Sequence, residues 1–134
     1  MIWMAFTDHM GEAVPALHEC RVLLVEDDYL VGLSMRSILE QLGCEVVGPV
    51  ASLSKALRMV EDDLPDAAVL DINILGGTSV PIAERLRDHE RPFIFVSGYQ
   101  SPRHMLPEML QKVQRLAKPV DERSLRLALH DAMG

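Results

Sequence analysis

Apolar residues occur in short continuous runs separated by polar stretches. The runs are "RVLLV", "CEVVGPV", "AAVLDI", "PFIFVSG" and "RLAKP", each of strand length. Continuous apolar runs of this kind are typical of strands that are covered on both faces. We expect the second run to be broken as a strand by Gly48 and Pro49.

Between these runs, apolar residues recur at the spacing of amphipathic helices. The first such segment ends at Gly43, where a helix C-terminus favours a left-handed residue, and the second ends at Pro65. Strands that alternate with helices predict an α/β domain whose parallel sheet carries helices on both faces. The apolar positions of the four helical segments are Val31, Met35, Ile38, Leu39 and Leu42; Leu53, Leu57, Val60 and Leu64; Ile82, Ala83 and Leu86; and Leu125, Ala128, Leu129 and Ala132.

The segment between the fourth and fifth strands is less regular. Pro102 and Pro107 would interrupt a helix between Ser101 and Val113, so we expect that fourth helix to be short, displaced or disordered. Residues 1–19 have no clear periodicity, which predicts a loosely ordered extension before a single domain at 20–134. Because the chain stops soon after the last helix, we expect no output domain.

Composition narrows the classes of function. A net charge of -7 argues against direct nucleic-acid binding, which favours a clustered basic face. No stretch has the ~20 apolar residues of a membrane span, and the N-terminus lacks the positive start of a secretory signal. We therefore expect a cytoplasmic protein. Cys20 and Cys44 are too few for a disulfide framework, so we expect both to be reduced and partly buried, although they would approach each other if they open neighbouring strands.

Polar and charged residues follow four of the predicted strands. Since ligands bind beyond the carboxyl ends of strands in an open parallel sheet, these side chains would meet at one edge. Adjacent carboxylates repel one another, and a cation would compensate for that repulsion. The residues at these strand ends are Glu26, Asp27, Asp28, Asp71, Ser97 and Lys118.

This set of residues suits phosphoryl chemistry. Oxygen ligands without His or Cys favour Mg²⁺, with Mn²⁺ as the alternative ion. A carboxylate can attack phosphorus while a metal ion and an ammonium neutralise the phosphoryl oxygens. Asp71 is the natural nucleophile because it stands alone at the end of the central strand, whereas Asp28 is expected to be solvated or to cap a helix.

Four motifs, in order, resemble the receiver domain of two-component response regulators: "VLLVEDD", "AAVLDIN", "FIFVSGY" and "LAKP". The resemblance covers residues 20–133 and implies the flavodoxin-like, doubly wound, five-stranded sheet with strand order 2-1-3-4-5. It also implies a phosphoacceptor signalling domain that catalyses only its own phosphorylation and dephosphorylation, with Mg²⁺ as cofactor.

The resemblance implies a role for each matching residue. Asp71 corresponds to the phosphoacceptor, Ser97 to the switch hydroxyl, and Lys118 to the lysine that contacts phosphate and carboxylate, whose bond to Pro119 is commonly cis. The residues implied as metal ligands are Glu26, Asp27, Asp71 and Asn73, the last through its backbone carbonyl.

The chain departs from the family pattern at two positions. Leu75 replaces the usual proline, and Arg115 stands where an aromatic switch residue is normal; Tyr99 is a candidate substitute, although a packing role suits it better. The motifs also resemble a subgroup of stand-alone receivers with a Phe-Ala-Thr-Gly-x-Tyr signature, which often pair with HWE-type histidine kinases.

The sequence therefore favours a single-domain response regulator that accepts a phosphoryl group from a histidine kinase or a phosphotransfer protein. It would signal through an unknown downstream protein or act as a phosphate sink, and we expect a monomer. The alternative is a pseudo-receiver, an interaction module independent of phosphorylation. A metal-dependent phosphohydrolase is disfavoured because Asn73 stands where a second acid would be needed and no further general acid is evident. The sequence also lacks the motif of a P-loop, which excludes nucleotide hydrolysis by such a loop.

Overall fold

The computed structural model describes residues 17, 19–98 and 106–134, together with the backbone of two short strands near the N-terminus. These two strands, β1 (Ala5–Thr7) and β2 (Ala13–Pro15), pair in the antiparallel sense. Most of the other residues of the predicted extension lie outside the described residues, so its loose order stays a prediction.

A five-stranded parallel sheet forms the centre of the domain. Its spatial order is β4-β3-β5-β8-β9, which corresponds to the predicted order 2-1-3-4-5 when only the strands of this sheet are counted. The flavodoxin-like α/β architecture is therefore confirmed. The strands are β3 (Arg21–Val25), β4 (Glu45–Val50), β5 (Ala67–Asp71), β8 (Phe93–Ser97) and β9 (Arg115–Ala117).

Helices cover both faces of this sheet. The helices are α1 (Tyr29–Gln41), α2 (Leu53–Asp62), α3 (Val80–Asp88) and α4 (Glu122–Met133). Val22 and Leu24 of β3 join a core with α1 and α4, whereas Leu23 and Val25 join a second core with α2 and α3. Because successive side chains of a strand point to opposite faces, burial on both faces explains the uninterrupted apolar run.

Strand β4 differs from the prediction. It continues through Gly48 and Pro49 to Val50 instead of breaking there, and the pairing with β3 shifts its register between Leu23 and Val25. Gly48 has φ +116°, and a Cβ at this position would lie 2.4 Å from the Leu24 carbonyl oxygen. Only glycine fits such a close backbone approach, so the residue that predicted a break instead lets the irregular strand continue.

The connection from β8 to β9 contains little helix where the structure describes it. A three-residue 3₁₀ helix covers Glu108–Leu110, and Leu106 and Leu110 are buried in the core shared with α2 and α3. This short helix agrees with the prediction of a short fourth helix. Tyr99 and Pro102 lie outside the described residues. In the part of the chain that the structure describes, no helix has the length and apolar character needed to cross a bilayer.

A small antiparallel pair follows the central strand. Strands β6 (Asn73–Ile74) and β7 (Gly77–Thr78) enclose a turn with positive φ at Gly76 and Gly77. Leu75, at the tip, remains 59% exposed, and its backbone pairs with Ser52 before α2. The pair therefore holds the chain beside the carboxyl end of β5.

Candidate functional site

Four strands deliver their polar residues to the carboxyl edge of the sheet. Asp71 ends β5 in register with Val96, and Ser97 ends β8 in register with Ala117, so their neighbours in space are the ends of adjacent strands. Glu26 follows β3 directly, and Lys118 follows β9. The parallel register therefore brings together residues that are far apart in the sequence.

Three carboxylates form the centre of the site. Glu26, Asp27 and Asp71 each offer an oxygen, and these oxygens all lie within 4.8 Å of one another. Glu26 and Asp71 are 1% and 5% exposed, whereas Asp27 is exposed. A cluster of hard oxygen ligands with one member open to solvent fits Mg²⁺, which prefers oxygen ligands and usually retains water.

Lys118 contacts two of these acids. Its ammonium forms an ion pair with Glu26 and lies 3.2 Å from Asp71 Oδ2. The Lys118 backbone N–H donates a hydrogen bond of 3.0 Å to the Ser97 carbonyl, which fixes the lysine beside β8. The bond from Lys118 to Pro119 is cis, as the resemblance implied. One cation therefore serves both buried carboxylates.

The two buried acids differ in proton affinity. Burial, together with a hydrogen bond and the negative charge of Glu26, raises the pKa of Asp71 to about 8. Burial alone would also raise the pKa of Glu26, but the hydrogen bond from Asp71 and the contacts with Lys118 outweigh it and lower that pKa. Without a metal ion, the pair therefore retains a proton on Asp71 near neutral pH.

The pKa of Lys118 responds to the same neighbours. Burial alone would lower it, but the hydrogen bond to Glu26 and the charges of Asp71 and Glu26 raise it. The lysine is therefore charged throughout the ordinary pH range. Because metal ligands must be deprotonated, a divalent cation at this cluster would compete with the shared proton, and its binding would strengthen as pH rises.

Comparison with known proteins identifies the family. A family model described as response regulator receiver domain matches residues 22–130. The chain belongs to the response regulator receiver domain family. It is therefore a signalling domain of two-component systems and not a classical enzyme.

Individual proteins agree with this assignment. The chain is 24% identical to the phyllosphere-induced regulator PhyR of Methylorubrum extorquens over 129 residues, which cover 94% of this chain and 48% of PhyR. The solution structure of SdrG from Sphingomonas melonis Fr1 is similar with a TM-score of 0.76 and 32% identity, covering 87% of this chain and 98% of SdrG. The signal receiver domain of a modulated diguanylate cyclase from Desulfovibrio desulfuricans G20 also has a TM-score of 0.76, with 31% identity, covering 86% of this chain and 94% of that domain. The chain spans about half or less of the length of the curated relatives it matches.

Three further residues lie at the same end of the sheet as the receiver's acidic cluster. Ser97 is buried at the end of β8, and Gly98 beside it is exposed, with no atom of the described residues within 4 Å of the place where a side chain would begin. Asn73 is exposed in β6, two residues after Asp71. Its backbone carbonyl stays a predicted metal ligand.

Asp28 has a structural role distinct from the cluster. It is the N-cap of α1, and its side chain accepts a hydrogen bond of 3.1 Å from the Val31 backbone N–H. The expected capping role is therefore confirmed. Its own backbone N–H also approaches Glu26 Oε2 at 3.5 Å, so the start of α1 helps to orient the buried glutamate.

Strand β4 also contributes to this receiver site, which the sequence did not predict. The Val50 carbonyl accepts a hydrogen bond of 2.9 Å from the Glu26 backbone N–H. Pro49 packs so closely on Gly32 of α1 that a Cβ there would lie 2.7 Å from the proline Cβ and 3.5 Å from Glu26 Cγ. A Gly-Pro pair inside a strand is a known sign of a bulge or of close backbone approach, and it was the available signal.

One departure from the family pattern lies in the last strand of the sheet. Arg115, at the position usually held by an aromatic residue, is half-buried in β9 and faces the same side of the sheet as its partner Phe95. Tyr99, the candidate substitute for which a packing role was preferred, lies outside the described residues. The chain therefore carries a cationic side chain where most receivers carry an aromatic one.

Proposed function

We propose that residues 20–134 act as a phosphoacceptor unit in which Asp71 takes a phosphoryl group in a Mg²⁺-dependent reaction. The observation that carries this proposal is the meeting of three carboxylates within 4.8 Å of one another, with Lys118 in contact with two of them. Nothing in folding requires this arrangement, since buried like charges destabilise a protein.

Each residue has a defined task in the proposed reaction. Glu26, Asp27, Asp71 and the Asn73 carbonyl would hold Mg²⁺, which when bound supplies positive charge to the phosphoryl oxygens. An Asp71 oxygen attacks phosphorus, the phosphorus–nitrogen bond of a donor phosphohistidine breaks, and the histidine nitrogen leaves with the electron pair. Lys118 neutralises the charge that gathers at the acceptor.

The proposed response to phosphorylation is local and electrostatic. The new group adds ~1.5 to 2 negative charges and strong hydrogen-bond acceptors beside Lys118. Ser97 ends the adjacent strand, and we infer that its hydroxyl donates to a phosphoryl oxygen. Gly98 has no side chain, and no atom of the described residues lies within 4 Å of the place where one would begin, so it would allow that approach. The segment that follows Ser97 is then the element whose equilibrium the modification shifts.

The proposed partners follow from this chemistry. The phosphoryl donor would be a histidine kinase, with the HWE type among the candidates, or a phosphotransfer protein. The signal would pass to a downstream protein, or the chain would act as a phosphate sink. Because kinases draw the phosphoryl group from ATP, the proposal assigns the chain to the cytoplasm.

The decisive experiment is intact mass spectrometry after incubation with acetyl phosphate or phosphoramidate. Wild type should gain the mass of one phosphoryl group only when Mg²⁺ is present, and Asp71→Asn should gain none. Asp88→Asn is the matched control, because Asp88 is an exposed aspartate at the end of α3, and this variant should behave as wild type. Glu26→Gln and Asp27→Asn should raise the Mg²⁺ concentration needed for phosphorylation.

The same samples separate the two readings of the chain. Mg²⁺ should raise the melting temperature of wild type, because a ligand that binds only the folded state stabilises it. If neither phosphorylation nor a Mg²⁺ effect appears, the pseudo-receiver is the better account. Mg²⁺ stabilisation without phosphorylation by either small donor would keep the metal site and require transfer from a kinase.

A further inference from the structure

The two cysteines lie side by side at the amino edge of the sheet, opposite the acidic cluster. Cys20 directly precedes β3 and Cys44 directly precedes the neighbouring strand β4, where Arg21 pairs with Glu45. The Glu45 backbone N–H donates a hydrogen bond of 2.9 Å to the Cys20 carbonyl, so the pairing extends to the cysteines. Neighbouring strands are ~4.8 Å apart, which falls within the ~4.4–6.8 Å between Cα atoms that a disulfide requires.

Their side chains point into the same core. Cys20 and Cys44 are both buried in the cluster shared with α1 and α4, and both are free thiols. Interaction with the neighbouring Cys44 thiol lowers the pKa of Cys20, although burial opposes this change. Interaction with Cys20, together with burial and the charge of Cys20, raises the pKa of Cys44. The pair is therefore asymmetric, with Cys20 as the better nucleophile.

A small oxidant has a route to Cys20. The Cys20 thiol donates to the Met133 sulfur at 3.8 Å, so the last turn of α4 covers it. Met133 is itself 41% exposed, and an unbranched thioether side chain moves easily between rotamers. Glu19, the preceding residue, is exposed. Among the described residues, the partly exposed side chain of Met133 is therefore a contact that can move to admit a small oxidant to this thiol.

We propose that Cys20 and Cys44 are a redox-sensitive pair that forms a reversible intramolecular disulfide under peroxide. The Cys20 thiolate attacks an oxygen of hydrogen peroxide, the O–O bond breaks, and hydroxide leaves, which gives a sulfenic acid. The Cys44 sulfur then attacks the Cys20 sulfur, and water leaves as the disulfide forms. In total, two thiols and one hydrogen peroxide give one disulfide and two molecules of water, and a dithiol reductant reverses the change by exchange.

The disulfide would close a loop that contains functional residues. The segment between Cys20 and Cys44 contains β3, Glu26, Asp27 and the whole of α1. Cross-linking its ends restricts the unfolded chain, so oxidation should raise the melting temperature by roughly 5 to 10 °C. The cross-link would lie at the edge opposite Asp71, so this inference does not depend on phosphorylation.

The test is a peptide map of the wild-type chain after hydrogen peroxide and alkylation of remaining thiols. We expect a cross-linked peptide pair containing Cys20 and Cys44, loss of both alkylation sites, and recovery of both after dithiothreitol. Methionine sulfoxides are read separately in the same map. Oxygen addition at either cysteine without a cross-link, cross-links only between chains, or persistence of both free thiols would each overturn the proposal.

Two variants test the order of the steps. In Cys44→Ser, Cys20 has no resolving thiol, so dimedone should trap its sulfenic acid. In Cys20→Ser, burial still raises the pKa of the remaining Cys44 thiol, so this thiol should be trapped more slowly than Cys20 is in Cys44→Ser. Equal trapping in both variants would contradict the assignment of Cys20 as the attacking thiol. Met133→Leu is a further control that keeps the apolar cover and removes the thioether, and it should still form the disulfide.

Discussion

The ion pairs at the two edges of the central sheet differ in their exposure to solvent. At the carboxyl edge, Lys118 contacts Glu26 and Asp71, whose side chains are 0% and 7% exposed. At the amino edge, Arg21 forms an ion pair of 3.0 Å with Asp63, whose side chain is 73% exposed. Water stabilises the aspartate at the amino edge whether or not its partner is present, whereas the acids at the carboxyl edge depend on one cation.

The difference in exposure indicates that the charges at the two edges contribute differently to stability. A buried charge that loses its partner strongly destabilises a protein, while most exposed ion pairs contribute little. The amino edge is secured by hydrogen bonds that involve the backbone, among them the bond of 2.9 Å from the Arg21 backbone N–H to the Asp66 carboxylate. The carboxyl edge contains a group of buried acids and a lysine that folding alone does not require, which is the pattern expected of a functional site.

Replacement of the lysine at the carboxyl edge should have the largest effect. Lys118→Met leaves Glu26 and Asp71 buried without their cation, so we expect the free energy of unfolding to fall by about 3–5 kcal/mol. Urea denaturation in the absence of Mg²⁺ measures this loss. Lys112→Met is the control, since Lys112 is exposed, and its change should stay within about 0.5 kcal/mol. Equal effects of the two substitutions would refute the comparison between buried and exposed charges.

The backbone that supports the carboxyl edge should be nearly as sensitive. Gly48→Ala forces a Cβ to within 2.4 Å of the Leu24 carbonyl oxygen at a residue with φ +116°. We expect a loss on the order of 3 kcal/mol in the free energy of unfolding, because both the clash and the backbone conformation oppose a side chain. In Gly98→Ala the new methyl group meets no atom of the described part of the chain within 4 Å, so this control should change stability by under about 0.5 kcal/mol. A small loss of stability in Gly48→Ala would mean that β4 can adopt a regular strand conformation at little cost in free energy.

The sequence was sufficient for the features that depend on periodicity and chain order. The uninterrupted run of β3 predicted burial on both faces, and the acids after β3 and β5 predicted a common edge because parallel strands end together. The continuation of β4 through Gly48 was not predictable, because it depends on contact with Leu24, a residue of the neighbouring strand. Local strand propensity carries no information about contacts between neighbouring strands.

Proton affinities and thiol contacts were also beyond the sequence. The high pKa of Asp71 results from burial and from the distance to Glu26, and both are products of tertiary packing. In the same way, spacing alone left open whether Cys20 and Cys44 would meet, since that depends on the register of β3 against β4. The sequence identified which residues reach each edge, but their mutual distances came from the fold.

The stability of the receiver should fall with rising pH because of Asp71. The carboxyl has a pKa of about 8 when folded against an ordinary value of 3.8, so the folded state binds more protons between these values. The free energy of unfolding therefore falls as pH rises from about 4 to about 8, and Asp71→Asn should lack this component. With a chelator present, we expect Asp71→Asn to melt roughly 5 °C above wild type at pH 8.

Thermal melts from pH 4 to pH 8 check this expectation. The difference between wild type and Asp71→Asn should grow with pH, and Asp88→Asn should follow wild type because Asp88 is exposed. Glu26, whose pKa is lowered, acts in a separate window at and below its ordinary value of 4.5, where its contribution to stability is lost as pH falls. A constant difference across the range would show that Asp71 is ionised throughout and that the two acids share no proton.

The ion pair at the amino edge should give the smallest effect. Arg21→Met keeps an unbranched chain over the apolar surface of Leu23 and Met59, and it leaves the backbone bond to Asp66 in place. We expect a loss under about 1 kcal/mol, and a double-mutant cycle with Asp63→Asn should give a coupling energy under about 1 kcal/mol. Both values should shrink at ~1 M salt, where exposed charges are screened. A coupling energy as large as the loss of stability in Lys118→Met would mean that exposure does not determine the strength of these ion pairs. The ion pairs at the carboxyl edge would then not differ in energy from the exposed pair at the amino edge.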